Sequence, residues 1–140
     1  MSQFTEKELE YLKTQRLGRL ATINAKGQPQ VAPVGFRYNP DLDMIEIGGR
    51  NMSQTKKYRN VQQNPQVAFV VDDVQPPWKP RGVEIRGEAE VVQEGGEDFF
   101  GASYKADPAF IRIRPTQIIG WGIEAEGYKP LNRKVEVKHG

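Results

Sequence analysis

A chain of 140 residues, 37% hydrophobic and 27% charged, is long enough for one domain with a real core and too short for two ordinary ones, so 1–140 is read as a single domain. The net charge of +2 is spread along the chain without a recognition helix, zinc finger or RNA-binding aromatic signature, and no nucleic-acid partner is expected. No apolar run approaches the roughly 20 residues of a membrane span, and the opening MSQFTEKELEYLK is acidic and amphipathic rather than a secretory signal, so a cytoplasmic location is the expectation.

Thr5 to Gln15 reads as a helix, with Thr5 as N-cap, Glu8 in the capping-box position, and Leu9 and Leu12 on one side. The period then changes. RLGRLATIN and QPQVAPVGFRYN are β-rich runs joined by AKGQ, a hairpin with Gly27 in its turn, and NPDLD turns into a third strand, MIEIGG. NMSQTKKYRNVQQ follows as a basic helix that Asn64-Pro65 ends. QVAFVVDD is a buried strand, and VQPPWKPRG reads as a proline-rich loop.

In GVEIRGEAEVV the residues Val83, Ile85, Gly87, Ala89 and Val91 face one way and the charged residues between them the other, a strand with one wet face. EGGEDFFGASYKAD is a connection with room for a short helix. AFIRIRP and QIIGWGI supply the last strands, and a polar tail, expected to be mobile, runs from about 124 to 140. Six or seven mostly antiparallel strands with one helix inserted midway make a mainly β protein, a small barrel with peripheral helices.

The side chains offer little chemistry of their own. Cysteine is absent, which removes disulfides, thiolates and zinc–cysteine sites, and the single histidine, His139, is the penultimate residue and a poor catalytic base. Asp41, Asp43, Asp72 and Asp73 lack the ligand spacing of a calcium loop, so no metal is expected. A reaction, if there is one, belongs to a bound cofactor. The basic helix shows where its anion would sit: Ser53, Thr55, Lys56, Lys57 and Arg59 cluster at its start with no acidic residue, against the usual preference for Asp and Glu there. The positive helix end, the two hydroxyls and Lys57 converge on an external anion such as a phosphate, or else the helix is a plain solvated basic face.

The order RLGRLATINAKGQPQVAPVGFRYN, MIEIGG, TKKYRNVQQNPQVAFVVDD, GVEIRGEAEVV and IRIRPTQIIGWGI resembles the pyridoxamine 5′-phosphate oxidase-like, FMN-binding split β-barrel superfamily, and within it the branch of deazaflavin (coenzyme F420)-dependent oxidoreductases. The resemblance covers roughly 9–123. It implies a homodimer with a cofactor site at each subunit interface, a phosphate held by Lys57 with Arg59 nearby, and the flavin or deazaflavin ring against Val31, Ala32, Pro33 and Val34. The long anionic tail of F420 suits the wider set Arg50, Lys56, Lys57, Lys79 and Arg81. The full basic set of the pyridoxamine phosphate oxidases themselves is not found, which argues against vitamin B6 chemistry.

The implied activity is hydride transfer between reduced F420 and a planar or conjugated organic substrate. The alternatives are an FMN-dependent oxidoreductase or flavin reductase of the same fold, and a carrier that holds F420 without turnover. No catalytic side chain is assigned, although Tyr38, Tyr58 and Tyr104 are proton donors by type. Trp78 is expected at the dimer interface and Trp121 in the core.

Overall fold

Thr5 starts a helix as its sequence predicts: its hydroxyl accepts from the Glu8 amide while the Glu8 carboxylate accepts from the Thr5 amide, and this reciprocal box heads α1, Glu6–Lys13. Tyr11 and Leu12 are buried on its inner face and Leu9 packs beside them. In the computed structural model the described residues are 2–101, 104–124 and 130–135.

β1 (Leu17–Ile23) and β2 (Pro29–Asn39) form the expected hairpin, with Gly27 at φ 77° in the turn where only glycine is unstrained. β3 (Met44–Gly48) pairs back on β2. A 3-10 turn at Met52–Gln54 leads into α2, Lys56–Gln63. β4 (Gln66–Gln75), β5 (Lys79–Val92), β6 (Phe110–Trp121) and β7 (Leu131–Lys134) complete the sheet. The strand order is β3-β2-β1-β4-β5-β6-β7, every pairing is antiparallel, and β3 also pairs with β6. That last pairing closes six strands into a barrel, the split β-barrel expected, with β7 as an added strand outside the ring.

Inward-facing Leu20, Ile45, Ile47, Phe69, Ile85, Ile111, Ile113 and Ile118 fill the barrel. Full burial of a side chain of this size is worth about 1.5–3 kcal/mol, so the interior supplies the main stabilising term. Met52, Tyr58 and Val61 pack onto it from the 3-10 turn and α2.

Three expectations need correction. VQPPWKPRG is not a loop: β4 and β5 continue as a hairpin to the Gln75–Lys79 pair, and only Pro76, Pro77 and Trp78 form the turn. Pro80 is tolerated within a strand because Lys79–Arg81 pair with β4 alone, at a single-sided ladder. AFIRIRP and QIIGWGI are one strand, β6, with a register shift at Gly87 opposite Pro115, a bulge that bends the strand around the barrel. The polar tail contains β7, paired with Gln117–Gly120 of β6; 125–129 and 136–140, with His139, lie outside the described residues. The connection Gln93–Ala109 makes turns at 97–100, and no helix occurs among its described residues.

Candidate cofactor site

α2 is amphipathic. Tyr58, Asn60 and Val61 are buried, Lys56, Arg59 and Gln63 are exposed, and Lys57 lies at the border, half-buried. Its position follows from helix geometry, because residues three apart share a face and Asn60 is three beyond Lys57. Asn60 sits 7% exposed and donates from Nδ2 to Thr22 Oγ1 at 3.0 Å and to Gln30 Oε1 at 2.8 Å, which pins α2 across β1 and β2. Lys57 therefore lies one turn before Asn60 on the flank of α2, half-buried. Desolvation by burial holds its ammonium pKa below the ordinary lysine value, and among the described residues its Nζ has no hydrogen bond or ion pair. A half-buried cation without a partner is costly on its own and becomes favourable when an anion docks against it.

The two hydroxyls are differently placed. Thr55 caps α2, accepting from the Tyr58 amide and donating to Met52 O at 2.7 Å. Ser53 donates through both its amide and its hydroxyl to Asp107 Oδ2, at 3.0 and 2.9 Å. Each hydroxyl proton is therefore committed within the chain. Lys57 is left with Lys56 and Arg59 as the donors at this helix start.

The stretch Val31–Val34 has an open flank. β2 pairs with β3 only from Gly35 to Asn39, so Pro29–Val34 is hydrogen-bonded to β1 alone. Alternation divides the four residues: Val34 is 5% exposed and Ala32 points the same way, into the barrel, whereas Val31, 70% exposed, and Pro33 stand on the outer face. A ring laid here would meet the side chains of Val31 and Pro33 and the free backbone edge. The outer face continues through the cross-strand rows Val31–Ala21–Ala68–Arg86 and Pro33–Arg19–Val70–Glu84, small and apolar at its centre with the pairs Arg19–Asp72 and Arg86–Glu84 along it.

Arg50 lies on an adjoining cleft of about 570 Å³ that Asn51, Lys105, Ala106, Asp107 and Pro108 also line, and its guanidinium stacks 4.9 Å from the Tyr104 ring centre. Lys79 and Arg81 do not join this group within one chain. They stand at the tip of the β4–β5 hairpin, about 30 Å along β4 from Gln66, where α2 hands over to the strand. Arg81 is also engaged, making a two-pronged pair with Asp73 at 2.7 and 3.0 Å and stacking on Tyr11.

Of the tyrosines, Tyr38 donates to Asp43 at 2.6 Å, and burial followed by that carboxylate raises its pKa; Tyr58 is buried under α2. Tyr104 lies under the guanidinium of Arg50. Trp78 is exposed at the hairpin tip, and Trp121 is half-buried at the end of β6, its ring against Gly82. Sequence reasoning missed Asn60 and Lys105. Asn60 had a signal, a polar residue on the buried stripe of a short helix; Lys105 had none, because the loop reaches the cleft through the contact of Asp107 with Gly49 and Ser53.

Residues 4–122 match the family described as Pyridoxamine 5′-phosphate oxidase. The chain is 45% identical over 125 residues to a 5a,11a-dehydrotetracycline/5a,11a-dehydrooxytetracycline reductase of Streptomyces rimosus subsp. rimosus, a match that covers 88% of this chain and 86% of that one. Its fold is similar to that of a conserved hypothetical protein from Mycobacterium tuberculosis (TM-score 0.67, 22% identity, 84% of each chain). The general stress protein 26 from Bacillus anthracis is likewise similar (TM-score 0.69, 19% identity, 93% of this chain and 97% of that one).

Proposed function

The chain belongs to the pyridoxamine 5′-phosphate oxidase family and is an oxidoreductase, and from that premise we propose that its cofactor is reduced coenzyme F420 and its substrate a planar, conjugated organic molecule. The observation that carries the reading is Lys57: a half-buried ammonium without a partner among the described residues, on the face of α2 that Asn60 fixes beside the open flank of β2. A phosphate-bearing flavin or deazaflavin fits this arrangement. The choice of F420 over FMN follows from the hydroxyls and the adjoining cleft. A compact FMN phosphate would rely on Ser53 and Thr55, whose protons are committed to Asp107 and Met52 O, whereas the carboxylates of a longer tail suit Arg50 and Lys105.

When bound, reduced F420 supplies a hydride, which with one proton saturates a conjugated double bond of the substrate as the deazaflavin is oxidised; the name of the Streptomyces relative describes a reduction of this kind. The protein's own contribution is to hold and to exclude. Lys57 neutralises the phosphate, the free β2 edge offers backbone groups to the ring, and Val31 and Pro33 present an apolar surface from which water is displaced.

We infer further that the functional unit is a homodimer. The outer face of β2, β1 and β4, with Val31 and Leu17 exposed and a concavity of about 480 Å³ around Ala21, Ile23 and Ala68, is apolar enough to mark an association site. A second subunit is also the way in which Lys79, remote from Lys57 in its own chain, would reach a cofactor. Parallel equilibrium titration of the purified apoprotein with F420 and FMN tests the reading. Tighter binding of F420, weakened by salt, is expected; tight FMN binding with no detectable F420 binding would reverse the cofactor assignment.

A further inference from the structure

Asp107 ties the far end of the connection from β5 to β6 to Gly49 and Ser53, and one arginine fastens its near end, Gly95–Phe99, to the barrel. Arg37, on the outer face of β2, directs Nε to Glu46 Oε1 at 2.8 Å, Nη1 to Asp98 at 3.5 Å and Nη2 to the Gly95 carbonyl at 3.4 Å, while its guanidinium lies 3.9 Å from the Phe99 ring centre. Glu46 is 1% exposed and is itself held by Arg112 and Asn39, at 2.9 and 3.1 Å, so the arginine is anchored from below. The fastening seats two aromatic rings on two glycines. A Cβ on Gly48 would fall 2.7 Å from Phe99, and one on Gly35 would fall 2.5 Å from Phe100.

Gly35–Gly48 is the last pair that β2 and β3 make before the flank of β2 opens. The side of Gly35 that carries Phe100 is therefore the same outer side as Pro33, two residues earlier and about 7 Å away. Phe100 remains 37% exposed there, with the edge of Tyr104 against it at 5.1 Å and Arg50 beyond. A partly open aromatic ring, held by a buried ion cluster at the end of an apolar strip, is a built surface rather than loose packing.

We propose that Phe100, backed by Tyr104, is the wall on which the flat conjugated substrate stacks, and that Arg37 is the positioning residue that holds this wall at the end of the Val31–Pro33 strip. The inference rests on the reading above for its substrate class. Its chemistry is face-to-face or edge contact between aromatic systems, which selects extended fused rings over small or saturated molecules.

The test is equilibrium dialysis of the purified full-length protein against tetracycline as the fused-ring probe, with F420 binding and thermal melting measured on the same samples. Wild type is expected to retain tetracycline. Phe100→Leu, which keeps apolar bulk but removes the flat face, is expected to weaken retention roughly tenfold, with F420 affinity and melting temperature unchanged. Phe100→Tyr is expected to behave as wild type, and Arg37→Met to weaken tetracycline without weakening F420. The proposal is overturned if wild type does not retain tetracycline, if Phe100→Leu retains it fully, or if the variant loses F420 or its oligomeric state in equal measure, since the ring would then be a structural plug or a subunit contact. Loss of tetracycline in the variant from a protein that never binds F420 would refute the cofactor reading and leave the wall standing.

Discussion

Lys57 and Lys56 differ by one position and by everything that matters to a bound anion. Helix geometry leaves Lys56 exposed and Lys57 half-buried, and burial lowers the pKa of Lys57 below 10.5. The sign of the pH dependence follows. The folded chain gives up this proton at a lower pH than the unfolded chain, so between the two values stability rises with pH. Binding of a phosphate runs the other way, because the phosphate requires the ammonium. Affinity for the cofactor should therefore decline as pH climbs through the lowered Lys57 value, and Lys57→Met should flatten that limb of a fluorescence-titration profile while leaving the lower-pH limb in place. A second residue-scale prediction concerns the C-terminal strand. Glu8 is fully buried and is bridged by Arg133 of β7, whose guanidinium also donates to Gln3 O at 3.0 Å. Arg133→Ala strands a buried carboxylate and should cost about 3–5 kcal/mol in urea unfolding, whereas Lys134→Ala, an exposed neighbour, should change little.

At the scale of elements, α2 works as a bracket. Its eight residues are too few to be stable alone, and its hold on the barrel comes from Tyr58, Val61 and the two hydrogen bonds of Asn60. Asn60→Ala should lower stability by roughly 1–3 kcal/mol, read by thermal melting, and should weaken cofactor binding by more than the exposed Gln62→Ala. Elements were legible in the sequence where their signals are local. The capping box of α1, the Gly27 turn and the alternation of β5 each rest on residues within a few positions of one another. What was misread depends on distant partners. The hairpin tip carries prolines that a two-sided strand would reject, and only the one-sided pairing of Lys79–Arg81 admits them. The tail looked unattached because β7 is secured by a residue 125 positions away. The Ser53–Asp107 bond spans 54 positions and had no local signal either.

For the whole molecule, the barrel and its family were legible because the order of strands around one basic helix is itself a signature. The proposed site was only half so: the basic helix and the β2 run are each local patterns, joined in the structure through Asn60 and Gln30, while the Arg37–Phe99–Phe100 assembly crosses about 60 residues of sequence and left no local trace. An apolar outer face of β2, β1 and β4 also makes a claim about assembly. Ala68→Glu places a charge in the middle of that face without touching the interior, and sedimentation velocity should find wild type as a dimer and this variant shifted toward monomer at the same concentration. A wild-type monomer at micromolar concentration, with and without cofactor, would remove the intersubunit site.

Titration of F420 into wild type, Lys57→Ala and Lys56→Ala at two ionic strengths tests the central claim most directly, that an anion-bearing cofactor docks on the inner edge of α2. A lost charge-assisted hydrogen bond corresponds to roughly ten- to a hundredfold in affinity. The account predicts a loss of that order for Lys57→Ala that persists at the higher salt, and a small, salt-screened loss for Lys56→Ala. Equal losses that both vanish at high salt would mean that the helix is only a basic surface, and would contradict it.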